Sequence, residues 1–458
     1  MPSPRKDVIG KYLANYAEPE SSFGLRLHRH TTNVLVIPAQ NESPSFIKGI
    51  KTALRSANSN GQRTLCIVVI NSTDSHLPDV RIGNKALLDA FAIQTSAVPL
   101  HIENETPCWF VDTDDCDLLV IDRDSVGCRL PNHEGVGLAR KIGCDLALAA
   151  IQSGSCHARL IHMSDCDVQL PSDYFDVTIP DSCAAVIYRF FHKPCGREIL
   201  DEAHFRYEAY LRYYVLGLRY AGSPYGFHTI GSCIAVTPEA YACVRGVPKR
   251  QAGEDFYLLN KLSKVGLVHT STSSPIAINA RSSLRVPFGT GQATSKIARN
   301  VDSYHIYNPR IFDLLKTWLT ALSHLDGMSP SHAYDAIWRR IEGTVTPRDQ
   351  DRLEACLLEI DAPKALREAM TQSSSPAVRH KWIRDWFDAF RTLKFIHTLR
   401  DHGIPDVLWC HALNEAPFCH LTSIDPDSSP STDTSASEIC RRLMRLEEQT
   451  QLLSAQND

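Results

Sequence analysis

The first two-thirds of the chain alternate short apolar runs with amphipathic, helix-like stretches, and this alternation restricts the fold more than any other feature. The stretches 44–57 and 136–150 have helical character, and apolar runs flank them at residues 34–37, 65–70, 118–121, 160–163, 184–187 and 233–236. Short apolar strands separated by helices are typical of a mainly parallel β-sheet. We therefore predict an α/β domain over residues 31–295.

Beyond residue 302 the apolar side chains recur with the 3.6-residue period of helices. The stripes are Ile311, Leu314, Leu315, Trp318, Leu319 and Leu322; Leu353, Cys356, Leu357 and Ile360; and Trp382, Ile383, Trp386, Phe387, Phe390 and Leu393. Such stripes usually form a core, so residues 302–423 are predicted to be a helical C-terminal domain. Residues 1–30 are expected to be an N-terminal extension, and residues 424–458 a flexible linker with a terminal helix.

Composition and charge argue against several classes of protein. A net charge of −4 over 458 residues gives no basic face for binding nucleic acid. There is no signal-peptide-like run near the start and no apolar run of about 18 residues, so we expect no transmembrane segment. The 15 cysteines include no C-x-x-C pair, and several lie in apolar runs. This indicates reduced, buried thiols in a cytoplasmic protein.

Two carboxylates, Asp165 and Asp167, follow the apolar run at residues 160–163. Alternate side chains of a strand point the same way, so both carboxylates would share one face. Such a pair suits Mg²⁺ or Mn²⁺ carrying a diphosphate, although the same spacing also occurs in ordinary turns. A second acidic cluster, residues 112–117, precedes a strand and is predicted to be a solvated loop.

Polar residues also follow the first two apolar runs. The first run ends at Pro38 and Ala39 and continues to Glu42, and the second leads to Asp74. The carboxyl ends of parallel strands form the edge at which open α/β sheets bind ligands. These residues are therefore candidates for contacting a base or a ribose, and simple turns would explain them equally well.

Further candidates lie on helices and in a loop. Arg140, in the second turn of a helix, could face a phosphate or be a surface charge. Glu254 and Asp255 open another helix, where they could supply a general base or merely complement the helix dipole. Arg281 and Arg285 lie in a glycine-containing loop that could close over a diphosphate.

The order and spacing of these segments resemble the family 2 glycosyltransferases of the GT-A fold over roughly residues 31–291. The resemblance is carried by residues 34–42, 71–74, 139–143, 165–167, 231–236 and 253–262. It implies a GT-A domain, which is a nucleotide-diphospho-sugar transferase domain with a Rossmann-like mixed sheet, followed by a mainly α-helical domain.

The resemblance also implies roles for individual residues. The nucleoside would be bound by Pro38, Ala39, Glu42 and Asp74. A divalent metal (Mn²⁺ or Mg²⁺) and the donor diphosphate would be held by Asp165 and Asp167, with the diphosphate assisted by Arg140, Arg281 and Arg285. Asp255 would be the base, supported by Glu254. His228 and His269 are candidates for a third metal ligand.

The expected function is metal-dependent transfer of a sugar from a nucleotide-sugar donor to an unidentified hydroxyl acceptor. This is a hexosyltransferase-type reaction, expected to proceed with inversion. The alternatives are a retaining GT-A glycosyltransferase and a non-catalytic nucleotide-sugar-binding or scaffold protein. A nucleotidyltransferase would need a Gly-rich, Lys-bearing loop after the first strand, which residues 38–42 lack. A homodimer is possible, and no nucleic-acid partner is expected.

Overall fold

The computed structural model describes residues 7–25, 27, 30–58, 61–94, 97–102, 106–113, 116–279, 290–325, 329–372, 375–420 and 435–455. The chain forms two compact units, residues 1–195 with 229–292 and residues 196–228 with 293–458. The last border between the units, at residues 292 and 293, lies near the predicted domain end at residue 295. Residues 196–228, which we predicted to be part of the first domain, belong instead to the second unit.

The strands and helices alternate through the first unit, and helices dominate the second. The strands are β1 (Asn33–Ala39), β2 (Thr64–Asn71), β3 (Ala97–Ile102), β4 (Thr106–Asp112), β5 (Cys116–Arg123), β6 (Ile161–Met163), β7 (Val168–Gln169), β8 (Cys183–Ile187), β9 (Phe190–Lys193), β10 (Ile234–Val236), β11 (Leu267–Thr270), β12 (Ile276–Asn279), β13 (His305–Ile306) and β14 (Val407–Leu408).

The helices are α1 (Val8–Asn15), α2 (Ser21–Gly24), α3 (Ser45–Ala57), α4 (Pro78–Ala92), α5 (Gly135–Gln152), α6 (Glu198–Tyr220), α7 (Pro238–Cys243), α8 (Glu254–Leu262), α9 (Thr290–Arg299), α10 (Pro309–Leu322), α11 (Ala333–Ile341), α12 (Pro347–Glu359), α13 (Ala362–Gln372), α14 (Pro376–Trp386), α15 (Ala389–Asp401), α16 (Trp409–Glu415) and α17 (Ala436–Ala455). None of the helices within the described ranges combines the length and apolarity needed to cross a membrane.

The larger sheet has the order β11-β8-β10-β6-β1-β2-β5-β4-β3. Strands β6, β1, β2 and β5 are parallel to one another, whereas β10 runs antiparallel to both β6 and β8. The sheet is therefore mixed. An α/β domain with a mixed sheet, followed by a helical region, is the fold class that the sequence predicted.

The central strands are continuous apolar runs because both faces of the sheet are covered. Their side chains are buried throughout β2 and through most of β1 and β5. Helix α5 lies close against the sheet at Gly143, where a Cβ atom would come within 2.3 Å of Cγ1 of Val36. This close approach fixes the helix that carries Arg140.

The predicted N-terminal extension is instead built into the first unit. Tyr12 of α1 is buried, and its hydroxyl donates a 2.6 Å hydrogen bond to Asp145 on α5. The ammonium of Lys141 donates to the same hydroxyl at 2.6 Å and to Asp145 at 2.6 Å. Asp145 also accepts hydrogen bonds from Tyr241 and from the main-chain N–H of Glu18.

The second unit has a helical core in which the predicted stripes along α10 and α12 are buried, apart from Leu319, which is partly buried. Helix α6 contributes Tyr213 and Leu216 to this core, which explains why it groups with the C-terminal helices. Its buried Arg212 is ion-paired with Glu208 at 2.7 Å and with Glu447 of α17 at 2.5 Å. The predicted terminal helix corresponds to α17, whereas residues 424–434 of the predicted linker lie outside the described residues.

The third predicted stripe, at residues 382–393, was wrong as a single helix. Helix α14 ends at Trp386, and α15 begins at Ala389. The side chain of Asp388 caps α15 by accepting the N–H of Arg391. Because the chain changes direction here, Phe390 is 49% exposed and does not join the core.

Candidate functional site

The segments that the sequence singled out after β1, β2 and β6 lie along one edge of the sheet. The three strands are parallel neighbours, with Ala39 paired with Ile70 and Val36 paired with Met163. Their carboxyl ends therefore point the same way, toward the edge at which α/β sheets usually bind ligands. Asp165 follows β6 at this edge.

Arg140 of α5 is the central charge of this edge, and only 3% of its side chain is exposed. Its Nη2 donates to Oδ1 of Asp165 at 2.9 Å, and its Nε donates to Oε1 of Glu254 at 3.3 Å. Nη1 donates to the carbonyl oxygens of Gly231, at 3.1 Å, and Ser164, at 3.4 Å. Arg140, which was predicted to contact a phosphate, is thus hydrogen-bonded to two carboxylates and two carbonyls of the protein itself.

Glu254 and Asp255 open α8 immediately after Gly253, whose φ of 72° lies in the left-handed region that glycine tolerates best. Glu254 is buried, and Asp255 is partly buried with Oδ1 accepting the N–H of Phe256 at 2.7 Å. Burial raises the pKa of Asp255 to about 7, and the adjacent charge of Glu254 adds to the rise. A carboxylate that titrates near neutral pH can act as a general base.

Gly231 lies beside both the guanidinium of Arg140 and the carboxylate of Asp255. A Cβ atom at this position would lie 2.9 Å from Nη2 of Arg140 and 3.6 Å from Oδ2 of Asp255. The first distance is shorter than real Cβ contacts allow, so a larger residue would displace the guanidinium. The sequence marked the segment 231–236 but gave no specific role to Gly231.

Asp165 and Asp167 are both partly buried, and one oxygen of Asp165 is bonded to Arg140. In the part of the chain that the structure describes, no group of three or more His, Cys, Asp or Glu side chains could hold a metal ion. Mg²⁺ at phosphate sites commonly needs only one or two carboxylates, because the substrate supplies further oxygens. A carboxylate pair such as Asp165 and Asp167 would therefore be enough only for an ion that arrives with a diphosphate.

The two histidines considered as third metal ligands belong to different units. Nε2 of His228 is 2.7 Å from Oε1 of Glu447, and both residues belong to the second unit. His269 is on β11, and burial lowers its pKa. Arg281 and Arg285, predicted to assist the diphosphate, lie outside the described residues.

The residues predicted to bind the nucleoside differ in exposure. Ala39 is fully buried, and Pro38 and Glu42 are partly buried. The side chain of Asp74 is 77% exposed and forms a 2.8 Å ion pair with Nη1 of Arg129. Arg129, from the segment after β5, is an additional cation at this edge that the sequence prediction did not include.

Asn84 is a second residue that the sequence prediction missed. Its Oδ1 accepts the N–H of Asn41 at 2.7 Å, and its Nδ2 donates to the carbonyl of Asn71 at 2.9 Å and to Asp124 at 3.0 Å. Asn41 has a φ of 51°, in the left-handed region that asparagine tolerates better than most residues. Asn84 thus joins the ends of β1, β2 and β5. The available signal was a polar residue on the buried face of α4, alongside Leu87, Leu88 and Phe91.

His76 completes this network between the first two strands. Its Nδ1 accepts the N–H of Thr73 at 2.8 Å, which requires the tautomer protonated at Nε2. Nε2 lies 3.2 Å from the side-chain amide of Gln40. Burial lowers the pKa of His76, consistent with a neutral ring.

The competing acidic cluster lies at the opposite end of β5. Nη2 of Arg63 donates to Asp112 at 2.6 Å and to Asp117 at 2.5 Å. The prediction of a solvated loop was wrong for Asp117, which is fully buried in β5, while Asp114 and Asp115 lie outside the described residues.

No protein-family model matches the sequence. No curated protein matches it either. Among solved structures, the chain is similar to a crystal structure of residues 1–349 of TarS from S. aureus in complex with UDP-GlcNAc. The two sequences are 11% identical, the match covers 81% of this chain and 91% of that chain, and the TM-score is 0.34.

Proposed function

We propose that the first unit transfers a sugar from a nucleotide-diphospho-sugar to an acceptor hydroxyl. One observation carries this proposal: the carboxylates of Asp165 and Glu254 both bond the guanidinium of Arg140. The Asp-x-Asp segment and the Glu-Asp pair, far apart in the chain, are therefore joined through Arg140. Sugar transfer needs both functions in one place, a carboxylate pair for the donor diphosphate and a base for the acceptor.

On this proposal the donor lies along the carboxyl ends of β1, β2 and β6. Its nucleoside contacts Pro38, Ala39, Glu42 and Asp74. Its diphosphate lies near Asp165 and Asp167, with Arg281 and Arg285 assisting it from the following loop. Mg²⁺ or Mn²⁺ bound there would supply positive charge against the negative charge of the leaving diphosphate.

Asp255 is proposed to take the proton of the acceptor hydroxyl. As that oxygen forms its bond to the anomeric carbon, the bond from this carbon to the diphosphate oxygen breaks and the diphosphate leaves with the electron pair. Attack from the side opposite the leaving group inverts the configuration. A pKa of about 7 leaves Asp255 ionised often enough to accept the proton and still basic enough to hold it.

The test is a donor panel with the full-length chain. The protein is incubated with UDP-, GDP- and dTDP-sugars in Mg²⁺, in Mn²⁺ and in EDTA, and the released nucleoside diphosphate is measured. We expect release from one donor, its loss in EDTA, and its loss in the variants Asp167→Ala and Asp255→Asn. Asp112→Asn is the matched control, because this carboxylate is bonded to Arg63 at the opposite end of the sheet.

The alternative functions give different results in the same panel. A non-catalytic nucleotide-sugar-binding protein would be thermally stabilised by one nucleotide but would release none. A retaining enzyme would release the same nucleoside diphosphate, and NMR of its sugar product would show the anomeric configuration of the donor. The proposal is refuted if no donor gives either release of nucleoside diphosphate or nucleotide-dependent thermal stabilisation.

A further inference from the structure

Arg140 was expected to bind the donor phosphate, but its surroundings indicate another role. We infer that Arg140 is a positioning residue, which holds the Glu254–Asp255 pair in register with Asp165 instead of binding the donor itself. This inference rests on the proposed sugar transfer at the same site. In this role the guanidinium of Arg140 aligns the base, Asp255, with Asp165, the carboxylate on the donor side.

The hydrogen bonds of the guanidinium support this assignment. An arginine carries five N–H groups in one rigid plane. Four hydrogen bonds to described residues engage four of them, to Asp165, Glu254 and the carbonyls of Gly231 and Ser164. To bind a phosphate through two N–H groups, Arg140 would have to release at least one of these four partners. Its 3% exposure also leaves almost no surface for an incoming donor.

The contacts join three separate segments. Asp165 follows β6, Gly231 precedes β10, and Glu254 opens α8. Because the guanidinium is planar, the directions of its N–H groups fix these segments relative to one another. A lysine keeps the charge but has a flexible stem and a point-like head, so it cannot reproduce this geometry.

Gly231 provides a second way to disturb the same arrangement without removing a charge. A Cβ atom there would lie 2.9 Å from Nη2 of Arg140, so alanine at this position must displace the guanidinium. The substitution Gly231→Ala should therefore reproduce the kinetic effect of Arg140→Lys. Both variants keep the positive charge at this site. If both lower kcat to a similar extent, the position of the guanidinium and not its charge determines turnover.

Arg63→Lys is a suitable control for general loss of an ion-pair network. Arg63 also bridges two carboxylates of the same sheet, Asp112 and Asp117, but at the opposite edge. Replacing it should lower the thermal midpoint without changing turnover. Comparing Arg63→Lys with Arg140→Lys thus separates a loss of thermal stability from a loss of turnover through misplacement of the base.

The experiment measures kcat and the donor KM for the wild type and for Arg140→Lys, Gly231→Ala and Arg63→Lys, together with the melting temperature of each. Misplacement of a base by about 1 Å can reduce the rate by about 100-fold. We expect Arg140→Lys and Gly231→Ala to lower kcat at least about tenfold while donor KM changes less than about threefold. Arg63→Lys should keep both constants close to those of the wild type.

Other outcomes would overturn the inference. A donor KM raised about tenfold with kcat unchanged would make Arg140 a donor ligand, since lost uniform binding appears in KM. An unchanged kcat in Arg140→Lys would exclude a positioning role. If Arg140→Lys does not fold, the same changes in kcat and donor KM, measured for Gly231→Ala, decide between the two roles. No turnover by the wild type with any donor would instead refute the proposed function, and the positioning role with it.

Discussion

Replacing Asp255 with asparagine should abolish turnover and make the first unit more stable at pH 8. The carboxylate is partly buried beside Glu254, and its pKa is raised from 3.8 to about 7. Each pKa unit corresponds to about 1.36 kcal/mol, so the ionised form is disfavoured by on the order of 4 kcal/mol relative to the unfolded chain. Asparagine carries no charge, and its amide oxygen can still accept the N–H of Phe256.

The expected gain is smaller than this limit because a buried amide also loses contact with water. Such a group costs about 1–3 kcal/mol in proteins, which leaves a net gain on the order of 1–3 kcal/mol. Since the pKa of Asp255 is raised in the folded state, the electrostatic part of this gain should be absent below pH 4, where the cost of burying the amide remains. It should grow between pH 4 and 7 and remain constant above pH 7.

The assay is thermal unfolding of wild type and Asp255→Asn across pH 4–9, with turnover measured on the same samples. For a unit of this size, 1 kcal/mol corresponds to about 2–4 °C in Tm, so a rise of at least about 2 °C is expected at pH 8. Asp145→Asn is the matched control, since this carboxylate accepts hydrogen bonds from Lys141 and Tyr12. A lower Tm for Asp255→Asn at pH 8 would refute the reasoning.

Further predictions concern the same edge and its support. Turnover of the wild type should fall below about pH 7 with the slope of a single protonation, because Asp255 then carries a proton. A turnover that stays constant down to pH 5 would exclude Asp255 as the base. Asp145→Asn should destabilise the protein by about 3–5 kcal/mol in urea unfolding, because it removes the carboxylate 2.6 Å from the buried ammonium of Lys141 and leaves it the more distant Glu18 at 3.7 Å. Asn84→Ala should cost about 1–3 kcal/mol and raise the donor KM, since Asn41 and Asp124 lose a partner; an unchanged KM would separate this network from the donor site.

Much of the first unit could be predicted because its strands are buried on both faces. Such strands are continuous apolar runs, and the runs at residues 34–37 and 65–70 fall within β1 and β2. The antiparallel direction of β10 could not be predicted, because strand direction leaves no trace in a short apolar run. The grouping of α6 with the C-terminal helices was also hidden, since it depends on packing partners such as Trp318 that lie far along the chain.

The candidate site was predictable as a set of segments but not as a set of contacts. Local patterns marked Asp165 and Asp255, because carboxylates at the end of a strand and at the start of a helix are visible in sequence. The bonds of Arg140 to Asp165 and Glu254 join residues far apart, so no local pattern encodes them. Asn84 was missed for the same reason, as its partners become neighbours only when the sheet forms.

The most direct test of the account is a crystal structure of the protein with a nucleoside diphosphate, UDP first and then the donor that the panel identifies. We expect the base and ribose to lie against residues 38–42 and Asp74, with the diphosphate beside Asp165 and Asp167. Asp255 should then face the side of the anomeric carbon opposite the diphosphate, with Arg140 still bonded to Glu254. A nucleotide bound away from this edge, or Asp255 on the same side as the leaving diphosphate, would contradict it.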